Sequence, residues 1–184
     1  MKPIKMKPRQ EYQGLSQQEL MDKAHELACT CDQYSHSCSQ CTVAALHKLL
    51  GFDDVVVRVA SSCAGGQVGQ AIGTCGSLIG CTIVLDYFFG RSVEEVSYSE
   101  VINPPWESMR LGKVLYDKFI GEYGSILCPH IQVKLFGRHY YFPDPDDMKK
   151  FEEEGGHLDK CPLVCGKAAR WTMEILLNEG AIEL

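Results

Sequence analysis

The chain has 184 residues, 45% of them hydrophobic and 23% charged, with a formal net charge of −6. That length supports one domain with a sizeable core, and the acidic balance argues against nucleic acid as the main partner, because phosphate recognition needs a basic face. The one basic cluster, Lys2, Lys5, Lys7 and Arg9, reads as part of a frayed, flexible tail over residues 1–14, ahead of a single domain over 15–184.

No apolar segment follows the basic stretch, and the apolar run Ile79–Phe89 is short and contains Asp86. Neither a secretory signal nor a membrane span is therefore expected, and the chain reads as cytoplasmic. In that setting ten cysteines point to metal binding or redox chemistry rather than structural disulfides. Any one of them could simply fill core space; ten together call for another explanation.

In chain order, Ser16-Gln-Gln-Glu19 is a capping box, followed by Leu20, Met21, Ala24, Leu27 and Ala28 on one helical face. Cys29 and Cys31 close that helix, and residues 32–37 read as a polar loop. A second helix spans residues 38–50, with Gly51 ending it and Val43, Leu46, Leu49 and Leu50 inward. Asp53 or Asp54 can cap a third helix over 55–62, although Val55-Val56-Val57 would also suit a buried strand.

Five glycines between Gly65 and Gly76 then allow close backbone approach and left-handed turns. Cys75 stands where the next helix should begin, and a helix N-terminus favours thiolate over thiol. That helix runs to Phe89 and stops at Gly90; Gly80 within it implies close packing on another helix. Pro104-Pro105 opens a further helix that extends through Trp106, Met109, Leu111, Val114, Leu115, Phe119 and Ile120 to the break at 121–124. Cys128-Pro129 starts a shorter one, 144–154 is a capped acidic segment, and a last helix covers 162–178 with Leu163, Val164, Ala168, Trp171, Ile175 and Leu176 inward. Without hairpin signals or βαβ alternation, the expectation is an all-α bundle of six to eight helices around a glycine-rich cysteine loop.

Cys38 and Cys41 are three apart and Cys161 and Cys165 four apart, so each pair shares a helical face. Cys81 is rotated away from Cys75 and should pack in the core, while Cys29, Cys31 and Cys63 receive no role. The common local signatures are missing: no paired CxxC of a zinc ribbon, no ferredoxin CxxCxxC and no CxxCH for c-type haem. Gly65-Gly66-x-x-Gly69 lacks the lysine and preceding strand of a phosphate loop. His36 and His130 read as ordinary surface histidines rather than ligands, and Trp106, Trp171 and Tyr140-Tyr141-Phe142 as core or interface.

Gln40-Cys41-Thr-Val-Ala-Ala-Leu, Gly73-Thr-Cys75-Gly-Ser-Leu-Ile-Gly80, Tyr123-Gly-Ser-Ile-Leu-Cys128 and Cys161-Pro-Leu-Val-Cys165-Gly-Lys-Ala-Ala resemble, in order and spacing, the redox-active CGAxxG (C_GCAxxG_C_C) cysteine family over roughly residues 38–178. Ser77 departs from the family's alanine. The resemblance implies that Cys41, Cys75, Cys128 and Cys161 are the four characteristic cysteines, with Cys165 as an alternative for the last. A similar domain forms the non-haem part of split-Soret cytochromes, which carry an iron–sulfur centre.

The leading expectation is therefore a 2Fe-2S or 4Fe-4S cluster on Cys41, Cys75, Cys128 and Cys161, with Gly73 and Gly76 supplying backbone donors to the sulfurs. Its role would be electron transfer with a redox partner protein, and a second subunit in a homodimer could cover an open site edge. Two alternatives remain: a metal-free thiol–disulfide oxidoreductase or sensor with Cys75 as nucleophile, and a zinc site made of four cysteine thiolates.

Overall fold

The computed structural model describes residues 4–96 and 106–184; the expected Pro104-Pro105 helix start lies outside them. The described residues form nine α-helices, with no strand beyond two isolated bridges. They are α1 (Gln17–Ser35), α2 (Cys38–Leu50), α3 (Val55–Val59), α4 (Gly76–Phe89), α5 (Val93–Val96), α6 (Trp106–Tyr123), α7 (Cys128–Phe136), α8 (Pro145–Glu153) and α9 (Cys161–Asn178). The short α5 was not expected. Among the described residues no helix is long and apolar enough to cross a membrane.

The ends of the helices obey the capping logic of the sequence. Ser16 and Glu19 form the reciprocal capping box of α1, Gly51 ends α2 in the left-handed region at φ 77°, and Asp144 accepts from Asp146 and Asp147 at the start of α8. The valine run is helical; the Asp53 carboxylate accepts the Val55 N–H at 2.9 Å, and a 3-10 turn over Ser61–Cys63 follows.

The core is built from α1, α2, α4 and α9, with α6 laid against α4 and α9. Helix α4 is buried on nearly every side, through Leu78, Cys81, Val84, Leu85, Phe88 and Phe89, as an apolar-all-round helix must be. Gly80 is where α4 meets α2: a Cβ there would overlap the Ser39 carbonyl and the Thr42 hydroxyl. Cys81 lies fully buried in this core, as its rotation away from Cys75 implied.

Three expectations are corrected. Helix α1 continues through the supposed polar loop to Ser35, because Asp32 turns inward and is fully buried while His36 closes the helix at φ 51°. Leu163 is exposed; the inward stripe of α9 runs through Val164, Cys165, Ala168, Ala169, Thr172 and Met173. The N-terminal stretch from Ile4 to Arg9 does not fray. Ile4, Met6 and Arg9 donate to the carbonyls of Phe88 (3.0 Å), Ala181 (2.9 Å) and Leu49 (2.8 Å), so part of this pairing satisfies carbonyls at the ends of α4 and α2 that have no intrahelical partner.

Helix α8 and the turn after it cap one end of the bundle. Gly155, at φ 86°, leads into a π-helical turn over Gly156–Lys160, closed by Lys160 N–H on the Gly155 carbonyl at 3.2 Å. Phe151 anchors this end, fully buried among Phe136, Tyr140, Phe142 and His157 at centroid distances of 4.8–5.7 Å.

Candidate metal centre

Four cysteines sit at helix starts. Cys38 opens α2, Cys75 is the residue just before α4, Cys128 opens α7 and Cys161 opens α9. All four line one cavity of about 510 Å³. Three of these, α2, α4 and α7, are free helix starts whose partial positive charge favours negative charge nearby, whereas α9 continues the π-helical turn, with the Cys161 N–H on the Gly156 carbonyl.

The glycine loop brings the cysteines together. An antiparallel bridge between Thr74 and Leu127 is flanked by Cys75 N–H on the Ile126 carbonyl (2.9 Å) and Cys128 N–H on the Gly73 carbonyl (2.8 Å), which pins Cys75 beside Cys128. Gly66, at φ 64°, passes so close that a Cβ would lie 2.8 Å from the Cys128 Cβ. Gly76 is glycine because the Cys38 sulfur occupies the space its side chain would take.

Cys75, Cys128 and Cys161 thus meet as expected, but their companion is Cys38. Cys41 lies on another face of α2, buried, hydrogen-bonded to the Cys31 thiol, and does not line the cavity. Cys165 is behind the wall, its sulfur 3.2 Å from the Ser77 hydroxyl; the serine that departs from the family's alanine has a partner here. Gly73 does not donate to a sulfur, since its N–H is spent on the Gly66 carbonyl at 2.9 Å. The N–H groups near the sulfurs are instead those of Ser77 and Leu78 beside Cys75 and of Gly65 and Ser39 beside Cys38, and the Gln132 amide donates to Cys128 at 3.4 Å.

Burial governs the electrostatics. It pushes the Cys38, Cys75 and Cys128 thiols up to about 12, with neighbouring cysteines adding to the rise. Cys161 is raised well above the ordinary thiol value, by burial first and then by Asp32. At Cys75 the N–H groups of α4 pull the other way but do not outweigh desolvation, so the helix start alone does not make this thiol a nucleophile.

The remaining cysteines are elsewhere. Cys29 donates to the Pro162 carbonyl at 3.1 Å, Cys63 lies in the 3-10 turn, partly buried, and Cys81 sits between Thr42 and Thr172. His130 is on the surface beside Ser125, 3.0 Å away. His36 does line the cavity, with two residues not anticipated from the sequence, Asp32 and His157. The one sequence signal for Asp32 was the polar character of a segment that turned out to be helix, and His157 had none.

Chemically, the arrangement offers four thiols from four separate segments in one cavity. That donor set fits a soft-ligand metal centre. No curated protein and no solved structure matches the chain. The profile of the family described as "Putative redox-active protein (C_GCAxxG_C_C)" matches residues 36–175, and the chain belongs to that family.

Proposed function

We propose that the cavity holds an iron–sulfur cluster ligated by Cys38, Cys75, Cys128 and Cys161, and that the protein transfers electrons with a protein partner. The observation that carries this is the convergence of four thiols, each at a helix N-terminus, on one cavity. Such a cluster supplies a one-electron carrier. The chain contributes the rest: thiolate ligands, exclusion of water, and N–H groups of Ser77, Leu78, Gly65 and Ser39 near the sulfurs, which raise the reduction potential.

The sulfurs are not gathered at the spacing of a single zinc ion. Tetrahedral zinc at a Zn–S distance of about 2.3 Å draws its sulfurs to roughly 3.8 Å from one another. Among the described residues no three of these sulfurs lie within 4.8 Å of one another. A separate observation favours a second reading, metal-free thiol chemistry, at another place. The partly buried Cys31 thiol is drawn below the ordinary thiol value by the hydrogen bond from Cys41, a pairing suited to thiol–disulfide exchange.

The test is iron and acid-labile sulfide content, with the visible spectrum, on protein purified without oxygen. Iron with comparable sulfide is expected in the native chain and in Cys41→Ser, and its loss in Cys38→Ser and Cys75→Ser. Zinc without sulfide, or retention of the chromophore in Cys38→Ser, would overturn the assignment.

A further inference from the structure

His36 and His157 line the same cavity, and with Glu152 they bring one potential ligand atom each within 4.8 Å of the other two. Three segments meet here: the left-handed C-cap of α1 holds His36, the last turn of α8 holds Glu152, and the π-helical turn holds His157. The two imidazoles stack at 4.0 Å with an interplanar angle of 8°. Both aim Nδ1 at the same carboxylate oxygen, His157 at 2.6 Å and His36 at 3.8 Å from Glu152 Oε1.

The tautomer of His36 is fixed by a neighbour. Its Nε2 is 3.2 Å from the Gln33 carbonyl, which can only accept, so Nε2 carries the hydrogen and in the neutral ring Nδ1 keeps a lone pair directed at Glu152. Outer hydrogen bonds of this kind are how metal-binding histidines are oriented. Asp32 supplies an independent observation that favours positive charge here. It is fully buried, it lines the same cavity as the two histidines, and neither carboxylate oxygen has a hydrogen-bond partner. A buried carboxylate without a partner is costly unless positive charge sits nearby.

We propose that His36 Nδ1, His157 Nδ1 and the Glu152 carboxylate bind a divalent transition-metal ion of borderline softness, such as Zn²⁺, Fe²⁺ or Co²⁺, with Asp32 as the buried charge that complements it. Two imidazoles favour these ions over Mg²⁺ or Ca²⁺. Three protein ligands leave coordination positions open, the condition for a metal that also binds a small ligand. The site is distinct from the four cysteines and stands whether or not they hold a cluster.

Titration of the anaerobically purified protein with Co²⁺ separates the two sites, since cobalt on thiolates gives an intense near-ultraviolet sulfur-to-metal band and cobalt on imidazole and carboxylate does not. We expect one equivalent bound without that band in the native chain. In His36→Asn, where asparagine tolerates the left-handed backbone, and in Glu152→Gln, binding should weaken by more than about tenfold, the low end of what losing even an outer-sphere partner costs. His36 and Glu152 are exposed, so both variants should fold. Unchanged affinity in these variants, or cobalt found only on thiolates, would overturn the site. Iron and sulfide content of the same samples reports on the cysteine centre separately.

Discussion

Replacing Gly80 by alanine sets two calculable effects against each other. In the middle of a helix, alanine is better than glycine by about 1 kcal/mol. At Gly80, however, the new methyl would come within 3.0 Å of the Ser39 carbonyl carbon and overlap both the Ser39 oxygen and the Thr42 hydroxyl. Neither can move aside easily: one is helix backbone, and the hydroxyl is bound to the Ser39 and Cys38 carbonyls at 2.9 and 3.1 Å. Overpacking costs about 1–3 kcal/mol, and with backbone as the obstacle the upper part of that range applies. The expected net loss is about 2 kcal/mol, a fall in Tm of roughly 4–8 °C for a chain of this size. Gly121, exposed near the end of α6 with nothing within 4 Å of a built Cβ, is the control, and Gly121→Ala should raise Tm slightly. Thermal unfolding followed by circular dichroism checks both. A Gly80→Ala protein as stable as the native chain would refute the close crossing of α2 and α4.

Two further outcomes follow from other parts of the chain. Cys31 should be alkylated with a midpoint below the ordinary thiol value, because the Cys41 thiol donates to its thiolate; in Cys41→Ala that midpoint should rise, and pH–rate profiles with mass-spectrometric site assignment would expose an unmoved midpoint. Phe151→Ala removes a fully buried ring from a cluster of four aromatic neighbours and should cost about 3–5 kcal/mol in chemical denaturation; a loss under about 1 kcal/mol would mean that this end of the bundle is loosely packed.

The fold was legible where the chain's signals are local. A serine with glutamate three residues on, glycines after apolar helices and proline after cysteine each mark a helix end through backbone hydrogen bonding alone, and the helices begin and end there. Signals that depend on distant partners were not legible. Asp32 looks like loop because a carboxylate is seldom buried; what turns it inward is the cavity it shares with His36 and with His157, which comes from the far end of the chain. The N-terminal stretch looks free because nothing in its own sequence reveals that the ends of α2 and α4 have carbonyls to offer it.

The choice between Cys38 and Cys41 shows the same limit and also how it could have been passed. Residues three apart on a helix are close in angle, and the local spacing cannot say which faces a given neighbour. The glycines of α4 can. Gly76 and Gly80 are four apart, one turn, and together mark a face of α4 without side chains, against which another helix must lie closely. The α2 atoms that fill that face are the Cys38 sulfur opposite Gly76 and the Ser39 carbonyl and Thr42 hydroxyl opposite Gly80. Cys38 and Thr42 are themselves one turn apart, so the seam that seats Thr42 on Gly80 carries Cys38 to the start of α4, beside Cys75. Cys41 is rotated off that seam toward α1, where it meets Cys31. The glycine at position 76 is thus a marker of the neighbouring thiol: its missing side chain makes room for the fourth sulfur of the cavity.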